Sequence, residues 1–312
     1  MMNNLNSAPL PDAHCELDAS SPDWFTQALA HPCRSRFVDV DGCKIHYLDW
    51  QTPADAAPER GILFVHGGGA HANWWRFIAP FFASGFRVAA LDLSGMGDSG
   101  RRPEYSAALR AREMHAVIHD AGLGARPFVV GHSFGGYMTL RFGVDYGEEI
   151  AGAIIADTPV RRPGDPPPGR DKRVFNHTRT YPTFDEAVAR FRLLPAQTCE
   201  HAFIVEFIAR HSLKRTADGW VWKFDPHAMG AKRWEEPFHE HMQNMRCRTA
   251  LIHGELSALV DAERADYMSE LMGPASPVIE IPQARHHLML DQPLAFVSTV
   301  RAVLQGWIRA EG

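Results

Sequence analysis

Six short, nearly continuous apolar runs constrain this chain more than any other feature. They are Ile62 to Val65, Val88 to Leu93, Phe128 to Val130, Ile150 to Ala156, Ala250 to Ile252 and Val278 to Ile281. Most have Gly, Pro or Asp at a boundary and little polar alternation, the pattern of strands buried on both faces. Helical periodicity separates most of them, over about 104–120, 134–146, 261–272 and 293–309. Strand and helix in alternation predict a parallel sheet with helices on both sides. Two further runs, Phe37 to Asp41 and Lys44 to Leu48, alternate at period two around Asp41-Gly42, and an Asp-Gly so placed predicts a β-hairpin. The expected fold is therefore α/β, with a mostly parallel, eight-stranded, doubly wound sheet.

One interval breaks the rhythm. About 90 residues separate the run ending at Asp157 from the next, at Thr249. The interval opens on Arg161-Arg-Pro-Gly-Asp-Pro-Pro-Pro-Gly169, a stiff non-helical connector. Amphipathic stretches follow at about 184–194 and 199–211, then aromatic clusters at Trp220 to Phe224 and Trp234 to Phe238. This predicts an inserted helical cap over 159–245, a core over 36–158 and 246–312, and a loosely held arm over 1–35 with one short helix near Trp24 to Ala30. Hydrophobic residues are 45% of the 312, enough for a large core and too many for a disordered chain.

The net charge of −5 offers no basic surplus, so no nucleic-acid partner is expected. Cys15, Cys33, Cys43, Cys199 and Cys247 are odd in number and scattered, without a CxxC pair, which predicts reduced thiols in a cytoplasmic setting. The start is polar rather than basic-then-apolar, so no secretory signal is expected. No run of about 18 apolar residues predicts a membrane span. The sequence leaves oligomeric state open.

Gly131-His132-Ser133-Phe134-Gly135 carries the chemistry. G-x-S-x-G between a buried strand and a helix lets the chain turn sharply and exposes the serine hydroxyl at the sheet's carboxyl edge, at the positive end of the helix. His66-Gly67-Gly68-Gly69 follows an earlier strand, and such a loop can offer amides to a developing oxyanion; Gly68 N–H and Phe134 N–H are the candidate pair. A phosphate loop would need a GK[ST] ending, which is missing. A base must come from one of 17 histidines, and position discriminates among them. Arg285-His286-His287 lies in the loop between the last strand and the last helix, which returns to the same sheet edge as Ser133.

With these motifs the chain resembles the α/β-hydrolase fold proteins that carry a helical cap. The resemblance covers about 36–310 and includes His66-Gly67, the segment Leu91-Asp-Leu-Ser-Gly-Met-Gly-Asp-Ser-Gly100, Ser133 and the final histidine loop. In such proteins the base usually stands five residues before an acidic-Gln-Pro ending; counting back from Asp291-Gln292-Pro293 implies His286, with His287 the alternative. The usual acid position after the seventh strand reads Gly254-Glu255-Leu256-Ser257, and Ser257 supplies no charge. Asp157, at the end of the strand beside the nucleophile strand, is the preferred substitute, and some haloalkane dehalogenases of this fold take their acid there. Glu255 is the alternative, then Asp261, then no functional acid.

Other constellations are weaker. Asp92 and Asp98 flank a glycine-rich turn and read as turn and capping residues. His115 and His119 have a metal-compatible i, i+4 spacing but no third ligand nearby in sequence, and His239-Glu240-His241 lacks partners, so neither a metal nor a cofactor is expected. Trp74, Trp75 and His132 are candidate pocket walls. Of the cap aromatics Phe175, Tyr181, Phe184, Phe191, Phe203, Phe207, Trp220, Trp222 and Trp234, most should form the cap's own core and a few should line a cavity. Epoxide hydrolases and haloalkane dehalogenases of this fold place Asp at the elbow; Ser133 instead suits acyl transfer to water. The expectation is a carboxylic-ester hydrolase acting on a small apolar or aromatic ester, or a lactone. Rivals are a carbon–carbon bond hydrolase, disfavoured by His132 and His287 flanking the key residues, a perhydrolase-like enzyme, and a non-catalytic ligand-binding protein.

Overall fold

The computed structural model describes residues 21–50, 58–165, 179–229 and 236–311, with the backbone of 8–9. In chain order the elements are β1 (Ala8–Pro9), α1 (Asp23–Ala30), β2 (Cys33–Val40), β3 (Cys43–Trp50), β4 (Gly61–Val65), β5 (Arg87–Leu91), α2 (Ala107–Asp120), β6 (Phe128–His132), α3 (Phe134–Tyr146) and β7 (Gly152–Ala156). Then follow α4 (Phe184–Val188), α5 (Ala202–His211), β8 (Leu213–Thr216), β9 (Gly219–Trp222), α6 (Phe238–Gln243), β10 (Arg248–Gly254), α7 (Ala262–Met272), β11 (Val278–Ile281), α8 (Leu288–Asp291) and α9 (Pro293–Arg309).

The main sheet has the order β1-β2-β3-β5-β4-β6-β7-β10-β11. The eight expected strands are present. The two-residue β1 adds a ninth at the edge, too short for any sequence pattern to announce. Pairing is antiparallel from β1 through β3 to β5 and parallel from β5 onward. The β2–β3 hairpin closes on Asp41-Gly42 at φ 51° and 75°, the positive values a two-residue primed turn needs.

The inner parallel strands are buried along nearly their whole length because both faces are covered, whereas β11, expected to be buried as well, lies at the sheet edge with Val278 and Glu280 exposed. On one face Phe64, Val130, Ile154 and Ile252 pack with α9 and the turns after β4; on the other Leu63, Val129, Ile155 and Leu251 pack with α2, α3 and α7. All parallel strands end at one edge, where ligands of open α/β sheets bind.

Two expectations need correction. The arm is not loose from residue 21 on, because α1 inserts fully buried Phe25 against Phe77, Phe203 and Phe207. The segment between β7 and β10 is not purely helical, because Trp220 to Trp222 belong to a β8–β9 hairpin. β-branched and aromatic residues on either side of Asp218-Gly219 favour that hairpin over a helix. The helix expected over 184–194 stops at Val188, ahead of Leu194-Pro195, where proline disfavours helical geometry in the residue before it. Part of the Arg161–Gly169 connector, Cys15, Phe175 and Trp234 lie outside the described residues.

Candidate active site

The elbow forms because β6 stops at His132 and α3 starts at Phe134, leaving one residue to turn the chain. Ser133 takes φ 52° and ψ −116°, a strained setting for a residue with a Cβ. It is held there by its N–H, which donates to the Ala156 carbonyl at 2.9 Å. A Cβ on Gly135 would sit 2.4 Å from the Val65 carbonyl oxygen, so only glycine lets α3 start this close to β4.

His286 lies in the loop between β11 and α8, and that loop is braced at several points. Asp291 Oδ2 accepts from the Arg285 N–H at 2.7 Å, and Gln197 Nε2 donates to the same carboxylate at 3.0 Å. Gln197 Oε1 accepts from the His287 N–H at 3.1 Å. His132 Nε2–H donates to the His286 carbonyl at 2.9 Å. A Cβ on Gly254 would lie 2.4 Å from the Ala284 carbonyl oxygen, so the loop passes directly over a glycine.

These braces aim the imidazole. His286 Nε2 lies 2.9 Å from Ser133 Oγ, and its Nδ1–H donates to Asp157 Oδ1 at 2.7 Å. Asp157 is fully buried, at φ 46° immediately after β7, with its N–H donating to the Ile252 carbonyl. Its carboxylate accepts two more bonds, from Ser257 Oγ at 2.7 Å and the Gly254 N–H at 3.0 Å. Ser257 Oγ in turn accepts from the Leu259 and Val260 amides, each at 3.1 Å. The residue at the usual acid position thus donates to the carboxylate on the neighbouring strand.

The structure does not bring the other acids to His286. Glu255 is exposed and accepts from the Gln283 N–H at 2.7 Å. Asp261 caps α7 by accepting from the Arg264 N–H. Asp92 is buried against His46 and accepts from the Ala72 and Asp98 amides, while Asp98 pairs with Lys223. His46 draws the Asp92 carboxyl well below the usual carboxylate range.

Gly68 lies in the Gly67–Ala70 turn and shares a cavity wall with Ser133; Phe134 opens α3, so its amide has no acceptor within the helix. His66 ties this loop down, with Nδ1–H donating to the Gly67 carbonyl at 2.7 Å and Nε2 accepting from the Leu93 N–H at 3.0 Å. Burial keeps its pKa low, in the neutral tautomer those two bonds require. Burial, followed by the nearby His286, pushes His132 down to about 3.

The cavity above Ser133 has a volume of about 470 Å³. Trp74 and His132 line it. Trp75 does not; it points into the core against Phe64 and Phe296. Adjacent residues of a short 3₁₀ turn face different ways, which their shared chemistry hides. Among the aromatics of the inserted segment, Tyr181, Phe191 and Trp222 line the cavity, whereas Phe207 joins the core beneath it.

Three buried histidines, His132, His286 and His287, bring ligand atoms within 4.8 Å of one another beside Ser133. On the surface, Glu149 comes within 2.9 Å of His115, whose Nε2 lies 3.1 Å from that of His119. A third group therefore does stand by the helical pair, supplied by the turn after α3 and invisible to spacing along α2. These two sets could hold a divalent ion. His239 and His241 instead pair with Glu240 and Glu236.

Residues 62–299 match the family model of the alpha/beta hydrolase family. The chain belongs to that family. This alpha/beta hydrolase is 30% identical over 124 residues to 2-hydroxy-6-oxo-6-(2'-aminophenyl)hexa-2,4-dienoic acid hydrolase of Metapseudomonas resinovorans, covering 38% of this chain and only 41% of that protein. It is 24% identical over 253 residues to esterase Rv0045c of Mycobacterium tuberculosis, covering 78% and 82% of the two chains. The crystal structure of that esterase matches with a TM-score of 0.66 at 22% identity, over 92% of this chain and all of the other. E-2-(acetamidomethylene)succinate hydrolase matches with a TM-score of 0.71 at 17% identity, over 88% and 100%. At these identities the structural likenesses show the alpha/beta hydrolase fold alone. Among the described residues no helix is long and apolar enough to cross a membrane.

Proposed function

We propose that this alpha/beta hydrolase is a serine hydrolase of carboxylic esters, working through an acyl-enzyme on Ser133. The observation that carries the reading is the continuous relay from Ser133 Oγ through His286 to the buried Asp157 carboxylate. Ser133 Oγ attacks the ester carbonyl while His286 Nε2 takes its proton. The Gly68 and Phe134 amides receive the developing oxyanion. The tetrahedral intermediate collapses, and the alcohol leaves with the proton that His286 returns. Water then repeats the sequence on the acyl-enzyme, releasing the acid and free Ser133. Asp157 orients the imidazole and stabilises its cationic form, and the Ser257 hydroxyl and Gly254 amide fix that carboxylate in place.

The segment over 159–245 acts in this reading as a cap, because it contributes the cavity wall opposite the sheet edge. Trp74, Phe191 and Trp222 suit an apolar or aromatic substrate. The four described cysteines are free thiols, which supports a reducing, cytoplasmic setting. A carbon–carbon bond hydrolase with the same relay is the second reading, favoured by the similarity to the dienoic acid hydrolase.

A p-nitrophenyl ester series and a fluorophosphonate probe test the proposal. Ester turnover, with the label on Ser133 and both lost in Ser133→Ala, is the expected result. Labelling without ester turnover, alongside cleavage of a vinylogous 1,5-diketo acid, would give preference to the second reading. Neither labelling nor turnover would sink both.

A further inference from the structure

The cavity above Ser133 has a one-sided charge. Its wall includes Arg179, Arg190, Arg192 and Lys223, and no Asp or Glu among the described residues. Lys223 is neutralised, with Nζ 2.8 Å from Asp98 Oδ2. The three arginines have no carboxylate partner among the described residues. Arg192 donates to the Ala189 and Phe191 carbonyls at 3.0 and 2.6 Å, which orients the guanidinium without cancelling its charge. The Arg179 guanidinium lies 5.5 Å from the centre of the Tyr181 ring, again held without neutralisation. Arg190 and Arg192 follow directly on α4, which ends at Val188.

Three like charges lining one cavity repel one another unless a counter-charge enters, and a guanidinium offers paired donors that match a carboxylate. The chain as a whole carries −5, so this cluster is a local reversal and not a reflection of general basicity. The rest of the wall supplies the complement, with Trp74, Leu193, Trp222 and Phe224 adding apolar surface.

We infer that the substrate is a carboxylate-bearing ester: the scissile ester meets Ser133, an apolar body fills the cavity, and a free carboxylate at the far end meets Arg179, Arg190 and Arg192. The inference rests on the ester-hydrolase reading and narrows its substrate class. The arginines are exposed, so their pull acts through water and should weaken with salt.

The test compares the mono-p-nitrophenyl ester of adipic acid with its methyl-capped, neutral analogue. For the native chain at low salt, kcat/KM for the acid-bearing ester should exceed that for the capped ester about tenfold, mostly through KM. That ratio should fall toward one in 0.5 M NaCl and in Arg190→Gln/Arg192→Gln. If the native chain turns over the capped ester as well as the acid-bearing one, the inference is overturned while the ester reading stands. If neither ester is hydrolysed, the ester reading fails, and calorimetry with adipate decides the anion subsite separately. Adipate binding that weakens in the double arginine variant sustains the subsite; no binding to the native chain removes it.

Discussion

Asp157 is a buried carboxylate with three donors on it, one of them the imidazole that faces Ser133. Replacing it by Asn keeps the volume but lets the side chain present an amide to His286 Nδ1, which favours the wrong tautomer. Asp157→Asn should lower kcat by about 10⁴, whereas Glu255→Gln, remote from the imidazole, should stay within a factor of about three. Steady-state kinetics on one p-nitrophenyl ester checks both; a near-native Asp157→Asn would remove Asp157 from the mechanism. Ser257→Ala deletes one hydrogen bond to a charged acceptor and should cost about tenfold in kcat. Ser257→Asp should cost more than Ser257→Ala, because two carboxylates this close cannot both ionise readily. A near-native Ser257→Ala would mean that this hydroxyl does not support the carboxylate, and equal activities for the two Ser257 variants would mean that repulsion between the carboxylates is not felt.

β7 and β10 are hydrogen-bonded neighbours, with Ala156 opposite Ile252, so Asp157 after one strand meets Ser257 beyond the end of the other. Asp157→Asn/Ser257→Asp moves the charge across that one-strand gap. It should recover at least about tenfold of the kcat lost in Asp157→Asn alone; no recovery would mean that only the β7 end presents a carboxylate usefully. The adjacency also explains what the sequence did and did not disclose. The apolar runs, the Asp41-Gly42 turn and the glycine-flanked Ser133 were legible because local sterics and double-sided burial write themselves into composition. The approach of His286 to Ser133 was legible from the loop that carries it. For the carboxylate Asp157 was preferred, with Glu255, Asp261 or none as alternatives, because which strand ends meet is a property of sheet order, and sheet order has no local signature. The same holds for Glu149 beside His115 and for the bracing by Asp291 and Gln197. The β8–β9 hairpin was missed because its strands have only four residues each. Trp75 was misplaced because neighbouring tryptophans diverge in a 3₁₀ turn.

Across the whole molecule, several histidines are buried as neutral rings. Burial lowers His66, His71, His132, His211 and His287, with His132 at about 3 and His211 at about 4. In the unfolded chain each takes up a proton near pH 6.5, whereas the folded chain refuses it until the pH is far lower, so protons favour unfolding. Their contribution to stability is intact above about pH 6.5 and is lost as the pH falls toward the depressed values, at up to about 1.4 kcal/mol per unit for each ring. The Tm should therefore drop steeply between pH 6.5 and 4.5, and less steeply in His211→Gln. A native Tm that is level over that range would contradict the burial account. The order of parts along the chain has a further consequence. Asp157 follows the last residue of β7, and the segment that walls the cavity leaves the sheet directly after it. The Asp157 carboxylate and the segment that walls the cavity are thus contiguous in the coding order, one codon beyond the last strand residue. Recombination or deliberate grafting that exchanged the inserted segment at the end of β7 would discard the carboxylate with it, leaving Ser257 donating to nothing. A junction set after Thr158 would keep the carboxylate with the sheet, so new specificities could be transplanted onto an undisturbed reaction centre.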